Sequence, residues 1–169
     1  MKFFTLIFAL LVLSVVVSAQ DTPAVELKSK YDRYENKTTV TLSELVMKGP
    51  DVRLYLGAAA SFDGERPKEW TPRILLSISI ISKMPLKAND AELYALLDGT
   101  PFEIGSLEPI AFKPDGIYSL TMYGVLLPAE RLSRIATAKK AEMRFDGVEF
   151  ALSDAQQLKI IEFLRMTRP

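Results

Sequence analysis

Residues 63–70 hold Asp63, Glu65, Arg66 and Trp70. Two carboxylates beside an aromatic ring are the parts a glycosidase uses, one as acid and one as base or nucleophile, flanking a sugar. The stretch Phe62–Pro67 (F-D-G-E-R-P) is also turn-rich, so the same residues read as the charges of a solvated loop. Asn89, Asp90 and Glu92 carry oxygen atoms of the kind calcium takes. Their spacing does not follow the twelve-residue EF-hand loop, and they read as a polar turn before a strand.

The rest of the catalytic alphabet is missing. The chain has 169 residues, no histidine and no cysteine. Without histidine there is no Ser-His-Asp triad and no imidazole base. Without cysteine there is no thiol nucleophile, and without both the usual zinc, copper and haem ligands are gone. The phosphate-cradling patterns G-x-x-x-x-G-K-[ST] and G-x-G-x-x-G and the nucleophile pattern S-x-x-K do not occur. The chain reads as non-enzymatic, with no cofactor and no metal.

Recognition chemistry is better represented. Tyr31-Asp32-Arg33-Tyr34 is the most distinctive polar-aromatic block, and Arg53 and Tyr55 repeat the arginine–tyrosine pairing two residues apart. In an extended strand Tyr31 and Arg33 share one face, and Asp32 and Tyr34 the other. Tyrosine and arginine combine contact area with directed hydrogen bonds, as binding hot spots require. Tyr31, Arg33, Arg53, Tyr55 and the only tryptophan, Trp70, are the candidate binding residues. The competing reading is structural: the tyrosines cover the sheet, Asp32 and Arg33 form ion pairs, and Trp70 packs on Pro67 or Pro72. Lys139-Lys140 reads as a solvated connection.

The start of the chain bears on where it works. Met1-Lys2 is followed by an apolar run, Phe3 to Val17, and by Val17-Ser18-Ala19. This is the pattern of an export signal cleaved after Ala19. The run is shorter than the roughly 20 residues of a membrane span, although retention as an anchor is the alternative. Residues 1–19 are read as signal peptide, 20–27 as an extended lead-in and 28–169 as one β-rich domain. The product is expected in the periplasm or the medium. An exported domain without disulfides depends on its core, which this length supports.

The full chain balances 21 Lys+Arg against 21 Asp+Glu. Such a surface offers no electrostatic reason for nucleic acid or an anionic membrane as partner. Asn36-Lys37-Thr38 matches a glycosylation sequon and reads as a chance tripeptide.

Period-two alternation must position these residues. Val40 and Leu42, then Val52, Leu54 and Leu56, then Ile74, Leu76, Ile78 and Ile80 alternate with mostly polar or small neighbours. This is the mark of strands that bury one face and show the other. Asp98-Gly99 and Asp146-Gly147 each separate two strand-like runs and predict two-residue hairpins. The second predicts the pairs Phe145 with Val148, Arg144 with Glu149 and Met143 with Phe150. Pro101 falls opposite Leu96 in the first, which places its strand at an edge. Lys113-Pro114-Asp115-Gly116 reads as a loop and Ile117–Leu126 as a strand. Pro128 opens a short helix with Leu132, Ile135 and Ala136 on one face. Ser153 and Gln156 form a capping box for a last helix of about 12 residues, with Leu158, Ile160, Ile161, Phe163 and Leu164 supplying a wide apolar face. The sum is seven to nine strands in a β-sandwich or strongly curved antiparallel sheet, closed by the C-terminal helix.

The blocks Tyr31-Asp32-Arg33…Thr38-Thr39-Val40 and Arg134-Ile135-Ala136-x-Ala138…Glu149-Phe150-x-Leu152 resemble small exported bacterial proteins of an uncharacterised family. The resemblance covers the two ends of the mature domain and brings no catalytic residue. The expectation is an exported domain that binds a protein or an envelope component, with no membrane span after cleavage. The alternatives are a carboxylate-dependent hydrolase of envelope glycans, carried by Asp63 and Glu65, and a purely structural envelope protein.

Overall fold

Thr38, Val40, Leu42 and Glu44 are buried while the residues between them are less so, the signature of a strand with one covered face. The structure is a computed structural model and describes residues 26–71, 73–83 and 91–169. The strands are β1 Glu26–Asp32, β2 Lys37–Lys48, β3 Val52–Asp63, β4 Arg73–Ser82, β5 Glu92–Leu97, β6 Thr100–Ser106, β7 Glu108–Asp115, β8 Tyr118–Pro128, β9 Ala141–Phe145 and β10 Val148–Leu152. The helices are α1 Ala129–Thr137 and α2 Asp154–Met166. The expected signal peptide, residues 20–25, and Asn89 and Asp90 lie outside the described residues. β1 takes in the last two residues of the expected lead-in.

The fold is mainly β, as the alternation implies, in two antiparallel sheets. One has the order β1-β2-β3-β4-β8-β7 and the other β10-β9-β5-β6. One core spans both sheets and includes Leu56, Ile78, Phe145 and Phe150. Tyr123 of β8 and Phe145 of β9 touch across it, with ring centroids 5.5 Å apart. From β6 to β7 the chain passes between the sheets through a single residue, Leu107, which is buried and donates its N–H to Ala91 O at 2.7 Å.

Both hairpins have the expected register. Asp98 and Gly99 have φ of 54° and 79°, and Asp146 and Gly147 of 47° and 75°, the left-handed pair that a type I′ turn requires. Phe145 pairs with Val148, Arg144 with Glu149 and Met143 with Phe150. Leu96 faces Pro101, on the edge strand β6.

Four expectations change. The described strands number ten rather than seven to nine. Lys113 to Asp115 is the end of β7 rather than a loop; β7 is a sheet edge, where Pro109 and Pro114 need not donate to a neighbour. Tyr31 to Tyr34 is not one strand, because β1 stops at Asp32. The Asp32 carboxylate accepts from the N–H groups of Tyr34 at 2.8 Å and Glu35 at 3.3 Å, and this side-chain turn takes the chain out of the sheet. Finally, β3 and β4 are buried along most of both faces; Ser77 and Ser79, polar by type, are covered in the middle of the sheet.

The helices close the core. Ser153 caps α2 in a full capping box with Gln156. Gln156 also donates its amide to Leu45 O of β2 at 2.9 Å. Gln157 donates to Ile135 O and Ala138 O at 3.1 and 2.8 Å, supplying partners to carbonyls at the end of α1. Ile160, Phe163 and Leu164 face the core, but Leu158 is 63% exposed. It lies two residues from Ile160, about 200° round a helix of 3.6 residues per turn, so apolar type alone did not place it inside.

Candidate functional site

The residues singled out in the sequence do not converge. Tyr31 pairs with Thr38, which pairs with Phe62, whereas Tyr55 pairs with Leu45 on the same two strands. Phe62 lies seven steps along β3 from Tyr55, about 24 Å at the rise of an antiparallel strand. Tyr31 donates its hydroxyl to Asn36 Oδ1 at 3.0 Å. Arg33 lies 4.9 Å from the centroid of the Tyr34 ring and donates to its hydroxyl at 2.9 Å. Both contacts lie at the β1–β2 turn, Tyr31 near the end of β1 and Arg33 just beyond it. Tyr55 is only 6% exposed, and its hydroxyl has no partner. Arg53 is half-buried near the other end of β3. Trp70 is half-buried with the Arg168 guanidinium 4.4 Å from its ring centroid. Arg168 lies beyond α2; Pro72, one of the two prolines expected against Trp70, lies outside the described residues. Asp63 and Glu65 are exposed at the end of β3 and in the turn after it. Glu92 lies on β5, where its carboxylate accepts from the Tyr94 hydroxyl. Among the described residues no group of three or more acidic residues could hold a metal ion.

A different surface brings side chains together. The outer face of the four-stranded sheet forms a groove of about 690 Å³. Because opposed residues share a face, the register builds it in two rows. One row runs Glu149, Arg144, Tyr94, Glu103, and the next Ala151, Glu142, Leu96, Pro101. Tyr94 and Leu96 are 36% and 41% exposed. The Arg144 guanidinium stacks 4.9 Å from the Tyr94 ring centroid. Glu142 is paired with Lys140 at 2.8 Å. Glu149 and Glu103 form no side-chain ion pair among the described residues. The groove is therefore an apolar-aromatic strip bounded by carboxylates.

Among the described residues the one large pKa displacement lies elsewhere. Glu44, on the core face of β2 beside Leu56, is 1% exposed, and neither carboxylate oxygen has a hydrogen-bond partner. Desolvation raises its pKa to about 7, against a smaller opposing pull from the Lys159 ammonium. Lys159 is itself held protonated by its hydrogen bond to Glu162 at 2.8 Å. Because burial disfavours its charged form, Glu44 is a source of pH sensitivity.

Sequence inspection missed both features, although each left a trace. Glu44 falls in phase with Val40 and Leu42, the apolar phase of β2. The Arg144–Glu149 row was visible in the hairpin register, but not its continuation to Tyr94, which depends on β9 pairing with β5. Comparison with protein-family models, with curated proteins and with solved structures finds no match to this chain.

Proposed function

We propose that this chain is an exported, non-enzymatic binding domain that takes a protein partner on the outer face of the β10-β9-β5-β6 sheet. The observation that carries the reading is the groove itself. Tyr94 and Leu96 are exposed on sheet rows bounded by Glu103 and Glu149, the mixture of amphipathic ring, apolar floor and polar rim on which protein recognition relies. Export rests on the N-terminal run Phe3 to Val17 and the small residues before Gln20. The lack of histidine and cysteine supports binding over catalysis, since the commonest bases, nucleophiles and metal ligands are not available. Among the described residues no helix is long and apolar enough to cross a membrane.

The test is site-specific photo-crosslinking in the native host. A photoreactive residue at Leu96 is compared with one at Tyr34, which is 85% exposed on the β1–β2 turn. The expected result is a discrete protein adduct at Leu96 and not at Tyr34. Its partner, identified by mass spectrometry and purified, should bind the wild type at least tenfold more tightly than Tyr94→Ala. Equal labelling from both positions, or an unchanged affinity, refutes the reading. Glycan cleavage by the purified chain, lost in Asp63→Ala or Glu65→Ala, would establish the hydrolase instead.

A further inference from the structure

The described strands leave four sheet edges, at β1, β7, β10 and β6. An open edge is a row of unpaired N–H and C=O groups, and proteins usually obstruct it with lysine, proline or a covering element. β1 carries Lys28 and Lys30, and β7 carries Pro109 and Pro114. β6 carries Pro101, and Arg131 donates to Glu103 O at 3.3 Å. β10, Val-Glu-Phe-Ala-Leu, has neither lysine nor proline. Among the described residues it pairs only with β9.

The hairpin register says which groups are free. Phe145 and Val148 flank a two-residue turn and exchange hydrogen bonds, and so do the alternate pairs Met143–Phe150 and Ala141–Leu152. Glu149 and Ala151 therefore direct their N–H and C=O groups away from β9. These same two residues are exposed, and their side chains belong to the groove rows. The unpaired edge of β10, which approaches β2 without pairing with it, thus adjoins the groove.

We infer that the partner is bound as an extended segment that adds an eleventh strand to β10, with a basic side chain across from Glu149 and an apolar side chain across from Ala151. The inference rests on the groove being the binding site and specifies how it is used. Backbone hydrogen bonds to Glu149 and Ala151 supply affinity that does not depend on sequence, and alternate side chains supply selectivity. Charge complementarity sets the basic position. Arg144, directly opposite Glu149, is turned onto Tyr94 and forms no ion pair with it, so the Glu149 carboxylate is left to an incoming cation. The small Ala151 side chain leaves room for a larger apolar neighbour in the row that continues to Leu96 and Pro101. In a segment running antiparallel to β10, the sense of every described strand pair, the residue facing Ala151 precedes the one facing Glu149, so the required motif is apolar–x–basic, read at a spacing of two.

Arrayed acetylated heptapeptides test this on the full chain. The central triplet carries Leu, Ala or Glu at the first position and Lys, Glu or Thr at the third, with threonine elsewhere. Leu-Thr-Lys is expected to bind best, at least tenfold above Leu-Thr-Glu. Glu149→Lys should invert that order. Ala151→Pro removes an edge N–H that β9 does not use, and should weaken Leu-Thr-Lys at least tenfold while amide exchange in β9 stays protected. If Tyr94→Ala abolishes binding and Ala151→Pro leaves it intact, the groove binds but no strand is added. That outcome overturns this inference and spares the proposed function. Absence of any charge preference, or of binding across the array, overturns the motif, and unchanged labelling at Leu96 is then what decides the fate of the groove.

Discussion

Arg144 and Tyr94 sit directly opposite each other on β9 and β5, with the guanidinium 4.9 Å from the ring centroid. They belong to different hairpins, Asp146-Gly147 and Asp98-Gly99, so their contact marks the seam at which two local units become one sheet. A cation over a partly exposed ring contributes about 0.5–1 kcal/mol. Arg144→Leu and Tyr94→Leu should each lose about that much stability in urea unfolding. The double variant should lose less than the sum, with a coupling of about 0.5 kcal/mol. Strict additivity would show that the stack carries no energy.

Glu44 makes stability depend on pH in an unusual direction. Its folded pKa of about 7 lies above the ordinary 4.5, so the folded chain binds this proton more tightly than the unfolded chain does. Stability from this group is full below about 4.5, falls as pH rises through the folded value and is flat beyond it. The whole change amounts to about 3 kcal/mol at 1.36 kcal/mol per unit. Glu44→Gln removes the slope, so its melting temperature should exceed the wild type's at pH 8 and approach it at pH 4.5. Lys159→Met removes the opposing attraction and should push the wild-type midpoint upward. A melting curve for Glu44→Gln that tracks the wild type at every pH would discard the assignment.

The α2 cap joins secondary to tertiary structure. The Ser153 hydroxyl accepts from the Gln156 N–H at 3.3 Å, and the Gln156 carboxamide accepts from the Ser153 N–H at 2.8 Å while donating to Leu45 O. Ser153→Ala should cost about 1 kcal/mol. Gln156→Ala should cost more, since Leu45 O on β2 then loses a partner as well. Amide exchange within α2 should rise in both variants, and exchange at β2 only in Gln156→Ala.

Gly147 holds the β9–β10 arm of the groove at φ of 75°. A Cβ there meets no other atom within 4 Å, so the cost of Gly147→Ala comes from the backbone alone, about 1 kcal/mol for an L-residue in the left-handed region. The variant should unfold earlier in urea by that amount and show weaker exchange protection in β10 than in β5. Equal protection in the two strands would mean that the turn is not what holds β10.

Local chemistry was legible in the chain wherever one residue type decides the outcome. Asp-Gly needs only its own backbone freedom, and both hairpins follow with correct register. Ser153 and Gln156 need only each other. Pro101 could be placed at an edge because a missing N–H excludes the alternatives. Such inferences failed where neighbours were required. Tyr55 alternates with apolar residues as an outward residue would, yet it is buried. The prolines of β7 suggest a loop until that strand is seen at the end of the sheet.

The sequence by itself therefore determined the two-residue turns, the α2 cap, the period-two strands and the restricted chemical alphabet. Each rests on interactions within a few residues or on composition. Only the tertiary structure decided that the two hairpins join through β5 and β9, that Tyr94 receives Arg144, that Glu44 is sealed without a partner and that the β10 edge opens beside the groove. Those relations depend on which strands pair across long separations, which is set by packing two sheets and two helices around a single core. No short window of residues contains that information.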